Sequence, residues 1–238
     1  MIEANPACNP TPNIVEALGI TLSPFPQTEP FDFTVQRGEH WLLRGPSRAG
    51  KTPLIKTLCG MISPGSGHIV LMGEDLHDIA PSALLKLRRR LGLVLPLDGL
   101  MPAWSGFENL ALPLKYHDRM SNEAINARIE AFTQRYQVPA EWMDNPVGGL
   151  SGEKRIALSL IRALVVEPEL LLIDAVPLDA VQTYSGIDGT QLIRDAIAGD
   201  CTVIMSLPEE AGDRLPALID GSHFRTAEMR DGRIASFR

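Results

Sequence analysis

The residues best suited to chemistry in this 238-residue chain form the run Gly45-Pro46-Ser47-Arg48-Ala49-Gly50-Lys51-Thr52, which fits GxxxxGK[ST]. Glycines let a backbone curl so that successive N–H groups point at phosphate oxygens, and a following helix N-terminus adds partial positive charge. Lys51 would reach the β and γ phosphates and Thr52 would ligate magnesium. A second group is Leu170-Leu171-Leu172-Ile173-Asp174, four apolar residues and an acid at a strand end, where a carboxylate can hold magnesium through water. A third is Leu150-Ser151-Gly152-Glu153-Lys154. Taken singly, the first run also fits an ordinary glycine turn. Asp174 alone is a common acid after a buried strand, and Ser151 alone is a helix N-cap.

The surrounding elements must supply context. Phe31 to Val35 and His40 to Arg44 read as two strands around a turn, and the second runs into the glycine loop. Lys51 to Leu58 has helical apolar spacing at Leu54, Ile55 and Leu58, with Gly60 as a stop. The loop therefore lies between a strand and a helix, as its motif requires. Residues 1–30 carry six prolines and predict an irregular lead-in or short edge strands. His68 to Met72 and Leu91 to Leu95 read as strands, and Pro81 to Arg90 as a helix ending in three arginines. From Pro96 to about Val166 the pattern is mainly helical, including Asn122 to Tyr136 and Ser151 to Val165. Strand signals return at Leu170 to Asp174 and Thr202 to Ser206, with a helix near Gln191 to Ala198 between them, as in a mainly parallel sheet.

Composition narrows the function classes. With 45% apolar residues the chain can bury a sizeable core, and 22 basic against 29 acidic residues give a net charge of −7, the wrong sign for wrapping nucleic acid. Cys8, Cys59 and Cys201 are scattered and indicate neither a disulfide framework nor a zinc site, so a reducing compartment is expected. No apolar run reaches the roughly 18 to 20 residues that span a bilayer. Met1 to Pro6 lacks the basic and apolar regions of a secretory signal, which makes the cytoplasm the default.

In this order and at these separations the motifs resemble the nucleotide-binding subunits of ABC transporters. The resemblance also takes in Gly38-Glu39, Gly60, Pro64 to Ile69, Glu108-Asn109-Leu110 and Pro168. It implies an α/β fold of the P-loop NTPase (RecA-like) class: a mainly parallel sheet core with an antiparallel β edge and an inserted α-helical subdomain. The core would take approximately 1–95 and 167–238 and the subdomain approximately 96–166. It further implies ATP and Mg2+ as cofactors, with Gly45 to Thr52 and Phe25 at the nucleotide and Thr52 and Asp174 at the metal. Leu150 to Lys154 would be a signature facing a second subunit's nucleotide. Partners would be membrane permease subunits and a second ABC ATPase subunit, placing the chain peripherally on the inner face of the cell membrane. The run Glu108 to His117 is similar to ATPases of lipid-trafficking (Mla/Mce-type) systems.

Departures from the family pattern are informative. Its glutamine, which touches magnesium and the attacking water, aligns with Pro96; its water-polarising glutamate aligns with Ala175; its switch histidine aligns with Leu207. Arg48 replaces a glycine often present in the loop, Val181 an acid with Asp179 nearby, and Glu153-Lys154 the glycine and glutamine of the signature. No catalytic position is intact. A base or water-positioning group is typically worth about 10² to 10⁴ in rate, so the expectation is a site that binds ATP and turns it over slowly or not at all. A hetero-dimer is then favoured over a homo-dimer, which would carry Ala175 and Leu207 in both sites. The alternative is a non-catalytic, ATP-gated scaffold or regulatory subunit. A stand-alone P-loop kinase would need an acceptor site and base for which no motif is present. Phe25 is equally consistent with stacking on adenine and with a core role, while Trp104 is expected to be a buried subdomain tryptophan, with an interface anchor as the other possibility.

Overall fold

The computed structural model describes residues 13–96, 99–117, 120–207 and 224–237, and the side chains of Tyr116 and His117 fall outside that description. Cys8 and the first part of the proline-rich lead-in also lie outside the described residues.

Two sheets carry the chain. One has the order β2-β1-β4-β5 and is antiparallel throughout, built from β1 (Asn13–Thr21), β2 (Phe31–Gln36), β4 (Ser66–Leu71) and β5 (Glu74–Asp75). The other has the order β10-β9-β3-β8-β7-β6. In it β3 (His40–Arg44), β6 (Leu91–Val94), β7 (Leu170–Ile173), β8 (Thr202–Ser206) and β9 (Phe224–Arg230) run parallel, and β10 (Arg233–Phe237) closes one edge antiparallel. The chain thus has the expected α/β fold, a mainly parallel core sheet beside an antiparallel one.

The lead-in expectation is corrected at β1, a nine-residue inner strand rather than an edge. Proline cannot donate to a ladder, and none falls inside Asn13–Thr21; Pro24, Pro26 and Pro30 all lie in the loop after it. Burial of Ile14, Val15, Ala17 and Ile20 supplies the reason to pair.

The parallel strands are apolar on both faces because both faces are covered. Trp41, Leu43, Leu170, Leu172 and Ile204 join the cluster that contains the antiparallel sheet and α1 (Lys51–Leu58). Leu42, Leu171, Ile173, Val203 and Met205 join the cluster on the other face, formed with the helices. Those helices include α3 (Gly106–His117), α4 (Asn122–Arg135), α5 (Ala140–Asp144), α6 (Gly152–Leu164), α7 (Leu178–Ser185) and α8 (Gly189–Ala198), while α2 (Pro81–Arg88) precedes β6. Leu110, Ala111 and Leu114 of α3 are fully buried, so packing accounts for the apolar spacing of the Glu108 to His117 run. Ends of three elements are tied together by Glu169, which accepts from Arg90 Nε at 2.5 Å and from Arg37 at 2.6 Å. The Arg90 hydrogen bond, aided by Arg37, holds the Glu169 carboxyl at about 2, well below the usual carboxylate range.

Trp104 corrects its expectation. It is 40% exposed, and the buried tryptophan among the helices α3 to α6 is Trp142 at 1%. Asn109, buried on α3, donates to the carbonyls of Met101, Trp104 and Ser105 and accepts from Met101 N–H at 2.8 Å. That stitch, with Val147 N–H donating to the Trp104 carbonyl, consumes the polar backbone of 101–105 and leaves the indole outside. Cys59 and Cys201 are buried free thiols, and burial pushes Cys201 up to about 12.

Candidate functional site

In an open parallel sheet the loops at the carboxyl ends of the strands meet at one edge. Here those loops are Gly45 to Gly50 after β3, Asp174-Ala175 after β7 and Leu207 after β8. A cleft of about 670 Å3 is lined by Phe25, the loop from Ser47 to Thr52, Ala175 and Leu207.

The loop side is shaped by close packing. Gly45 has φ 138°, and a side chain there would collide with the Met229 carbonyl of β9. Gly50, in the left-handed region at φ 104°, is the N-cap of α1, and a Cβ would lie 2.8 Å from Gly232 Cα. Only glycine satisfies both backbone and space at these two positions. Arg48 takes φ 65° without that freedom and points into solvent, the stiffer variant of the loop. Lys51 Nζ donates to the carbonyls of Gly45 at 2.6 Å and Pro46 at 3.0 Å, which keeps the ammonium within the loop. Thr52 follows it into the first turn of α1.

The turn Asp231-Gly232 between β9 and β10 joins the loop to Phe25. Gly232 N–H donates to the Ala49 carbonyl at 2.9 Å, and the half-buried Phe25 ring occupies the space a side chain on Gly232 would need. Arg233 pairs with Glu29, tying the same turn to the loop that carries Phe25. Asp231-Gly232 is a strong hairpin dipeptide, but its position along the chain does not place the hairpin under the glycine loop, which only the sheet order brings about.

The remaining lining is apolar. Leu207 is 4% exposed, and Ala175 adopts φ 48° with its N–H donating to Ser206 Oγ at 2.8 Å. Asp174, one residue earlier, is fully buried; its Oδ1 accepts from Ser206 Oγ at 2.7 Å, and its Oδ2 is buried with no hydrogen-bond partner. A buried carboxylate oxygen without a partner is what a metal-facing acid presents, and with Thr52 in the cleft the residues fit a magnesium ion. Pro96 is exposed just after β6 and does not line the cleft. Val181 is in the core and Asp179 exposed in the first turn of α7.

The structure does not bring Leu150 to Lys154 to this cleft. Ser151 caps α6, with its hydroxyl accepting from Lys154 N–H at 3.5 Å, and Ser151 and Gly152 are exposed. Glu153 stands in the first turn, and Lys154 Nζ lies 5.6 Å from the Trp142 ring centroid, so the lysine is turned onto its own domain. No helix among the described residues is long and apolar enough to cross a membrane.

A fold with this loop at this sheet edge is a P-loop cassette, and comparison with known proteins agrees. The family profile "ABC transporter" matches residues 28–176. The chain belongs to the ABC transporter family. It is 30% identical over 204 residues to the molybdate/tungstate import ATP-binding protein WtpC of Thermococcus kodakarensis, matching 84% of this chain and 60% of that protein. Against the lipoprotein-releasing system ATP-binding protein LolD 1 of Rhodopseudomonas palustris it is 28% identical, over 80% of this chain and 86% of the relative. The chain thus spans about three fifths of the first relative's length and most of the second's. In fold it is similar to the ATP-binding cassette MJ0796, solved as a dimer bound to ADP and Pi, with TM-score 0.78, 22% identity and coverage of 94% and 97% of the two chains.

Proposed function

We propose that this chain is an ATP-binding subunit of an ABC transporter whose own site binds ATP with Mg2+ and hydrolyses it very slowly or not at all. The observation that carries the reading is the composition of one cleft: a complete phosphate loop shares it with Ala175 and Leu207, which can neither polarise water nor contact a phosphate. Gly45 to Thr52 would hold the phosphates, Phe25 the base, and Thr52 with Asp174 the metal. Bound magnesium would neutralise phosphate charge; the chain's own contribution is to orient and bind. Of the catalytic positions, Pro96 also carries no group that could place a water.

The exposed signature supports dimerisation with another cassette subunit, Leu150 to Lys154 facing the partner's nucleotide. Glu153 puts a carboxylate near those phosphates, where like charge repels. A second copy would put Ala175 and Leu207 in both sites, so an intact second ATPase is favoured over a second copy. Permease subunits would dock near Trp104 and Met101, which are 40% and 47% exposed, placing the chain at the inner face of the membrane. The relatives' names span metal-oxyanion import and lipoprotein release, so they point to no single cargo; the lipid-trafficking likeness of Glu108 to His117 remains a proposal of the same kind. The scaffold alternative shares the apolar lining and differs in its company.

ATP binding by the purified chain, measured by calorimetry with MgATP, is the direct test. Lys51→Ala removes a charge-assisted contact of about 1.5–3 kcal/mol, so affinity should fall roughly 10- to 100-fold. Wild-type phosphate release at rates usual for transport ATPases, abolished by Lys51→Ala, would sink the slow-site reading. Recovery of permease and intact ATPase subunits on affinity purification supports transport; recovery of soluble partners alone supports the scaffold.

A further inference from the structure

The two carboxylate oxygens of Asp174 are not equivalent. Oδ1 accepts from Ser206 Oγ at 2.7 Å, whereas Oδ2 is buried with no hydrogen-bond partner. The same Ser206 oxygen accepts from Ala175 N–H at 2.8 Å, and the Ser206 carbonyl accepts from that N–H at 3.2 Å. A hydroxyl has one proton and an amide N–H can only donate, so the Ser206 proton is committed to Asp174. One side chain at the end of β8 thereby fixes both the carboxylate at the end of β7 and the left-handed backbone of the residue after it. Ser206 is itself fully buried, which keeps water from competing for either bond.

We propose that Ser206 is a positioning residue for the metal carboxylate: by occupying Oδ1 and pinning Ala175, it leaves Oδ2 as the oxygen offered to the Mg2+ that accompanies the nucleotide. This rests on the reading of the cleft as an MgATP site. Ser206 touches neither nucleotide nor metal and acts through Asp174. Loss of a group that orients a metal ligand typically lowers metal affinity about 10- to 100-fold.

The test measures ATP affinity of the full chain in Mg2+ and in EDTA, the ratio being the magnesium enhancement. Ser206→Ala should reduce that enhancement about tenfold while leaving the EDTA affinity near wild type, and Ser206→Thr, which keeps the hydroxyl, should restore it. On an Asp174→Asn background the enhancement is already lost, and Ser206→Ala should remove nothing more. If Ser206→Ala melts below the assay temperature, Ser206→Cys, a weaker donor, carries the same comparison. An enhancement that survives the variant, or equal losses in Mg2+ and EDTA, overturns the proposal while the cleft reading stands. A wild-type chain that binds no nucleotide overturns both.

Discussion

Two sets of residues line one cleft and have opposite character. From Ser47 to Thr52 the loop is polar, packed glycine against hairpin and held by backbone hydrogen bonds; Ala175 and Leu207 are apolar and offer no side-chain proton, charge or lone pair. The difference teaches that binding and hydrolysis draw on separate parts of a P-loop site. In the function proposed above, phosphate affinity would reside in N–H groups, a lysine and a metal carboxylate, all of them separate from the positions taken by Ala175 and Leu207. Ala175 has a left-handed backbone and donates its N–H to Ser206, an arrangement that presents only an alanine side chain to the cleft.

The widest effect should come from rebuilding the poorer set. Ala175→Glu and Leu207→His combined are expected to raise phosphate release by roughly 10² or more in the assembled transporter, since each group is typically worth at least that in rate. Unchanged turnover with unchanged ATP affinity would break the comparison, because the deficit would then lie outside the cleft.

A smaller effect is expected where the richer set meets Phe25. Gly232→Ala forces the Phe25 ring away and lifts the hairpin from Ala49, so ATP affinity should fall about tenfold and inorganic triphosphate affinity by much less, base–aromatic stacking being worth about 1–3 kcal/mol. Equal losses for both ligands would assign Phe25 to the core alone.

Smallest is the effect of a region remote from the cleft. Glu169 has its folded value depressed to about 2, so the Arg90–Glu169–Arg37 group contributes stability that is present above the ordinary carboxylate range and is lost as pH falls toward 2. Because these side chains are 30–39% exposed, screening limits the contribution to about 1 kcal/mol. Glu169→Gln should lower the denaturation midpoint at pH 7 slightly and flatten its decline between pH 4.5 and 2, while ATP affinity holds; a change in ATP affinity would tie this group to the cleft.

How much of this could be read from residues alone depended on what each residue answers to. The strands β3, β7 and β8 were legible because burial on two faces demands continuous apolar runs, and the loop because its glycines and lysine are spaced by the chemistry. β1 is hidden in the sequence because the prolines on either side of it mask the clean strand between them. Trp104 lies exposed against expectation, since whether its indole enters the core depends on the Asn109 stitch of 101–105 rather than on apolar character. In the sequence Ser206 is an ordinary polar residue ending a strand. Its importance arises from register between β7 and β8, which pairs Ile173 with Met205 and so sets Asp174 beside Ser206, a relation that spacing along the chain does not contain.

The backbone at Ala175 carries a consequence for heredity. Its N–H is held by Ser206 through bonds that do not involve the side chain, so a glutamate can stand there without refolding the loop. Alanine and glutamate codons can differ by a single base, as can proline and glutamine, and leucine and histidine. A genetic selection for nucleotide turnover would therefore have a short route through this chain, and at position 175 the step would land on a backbone already shaped to receive it.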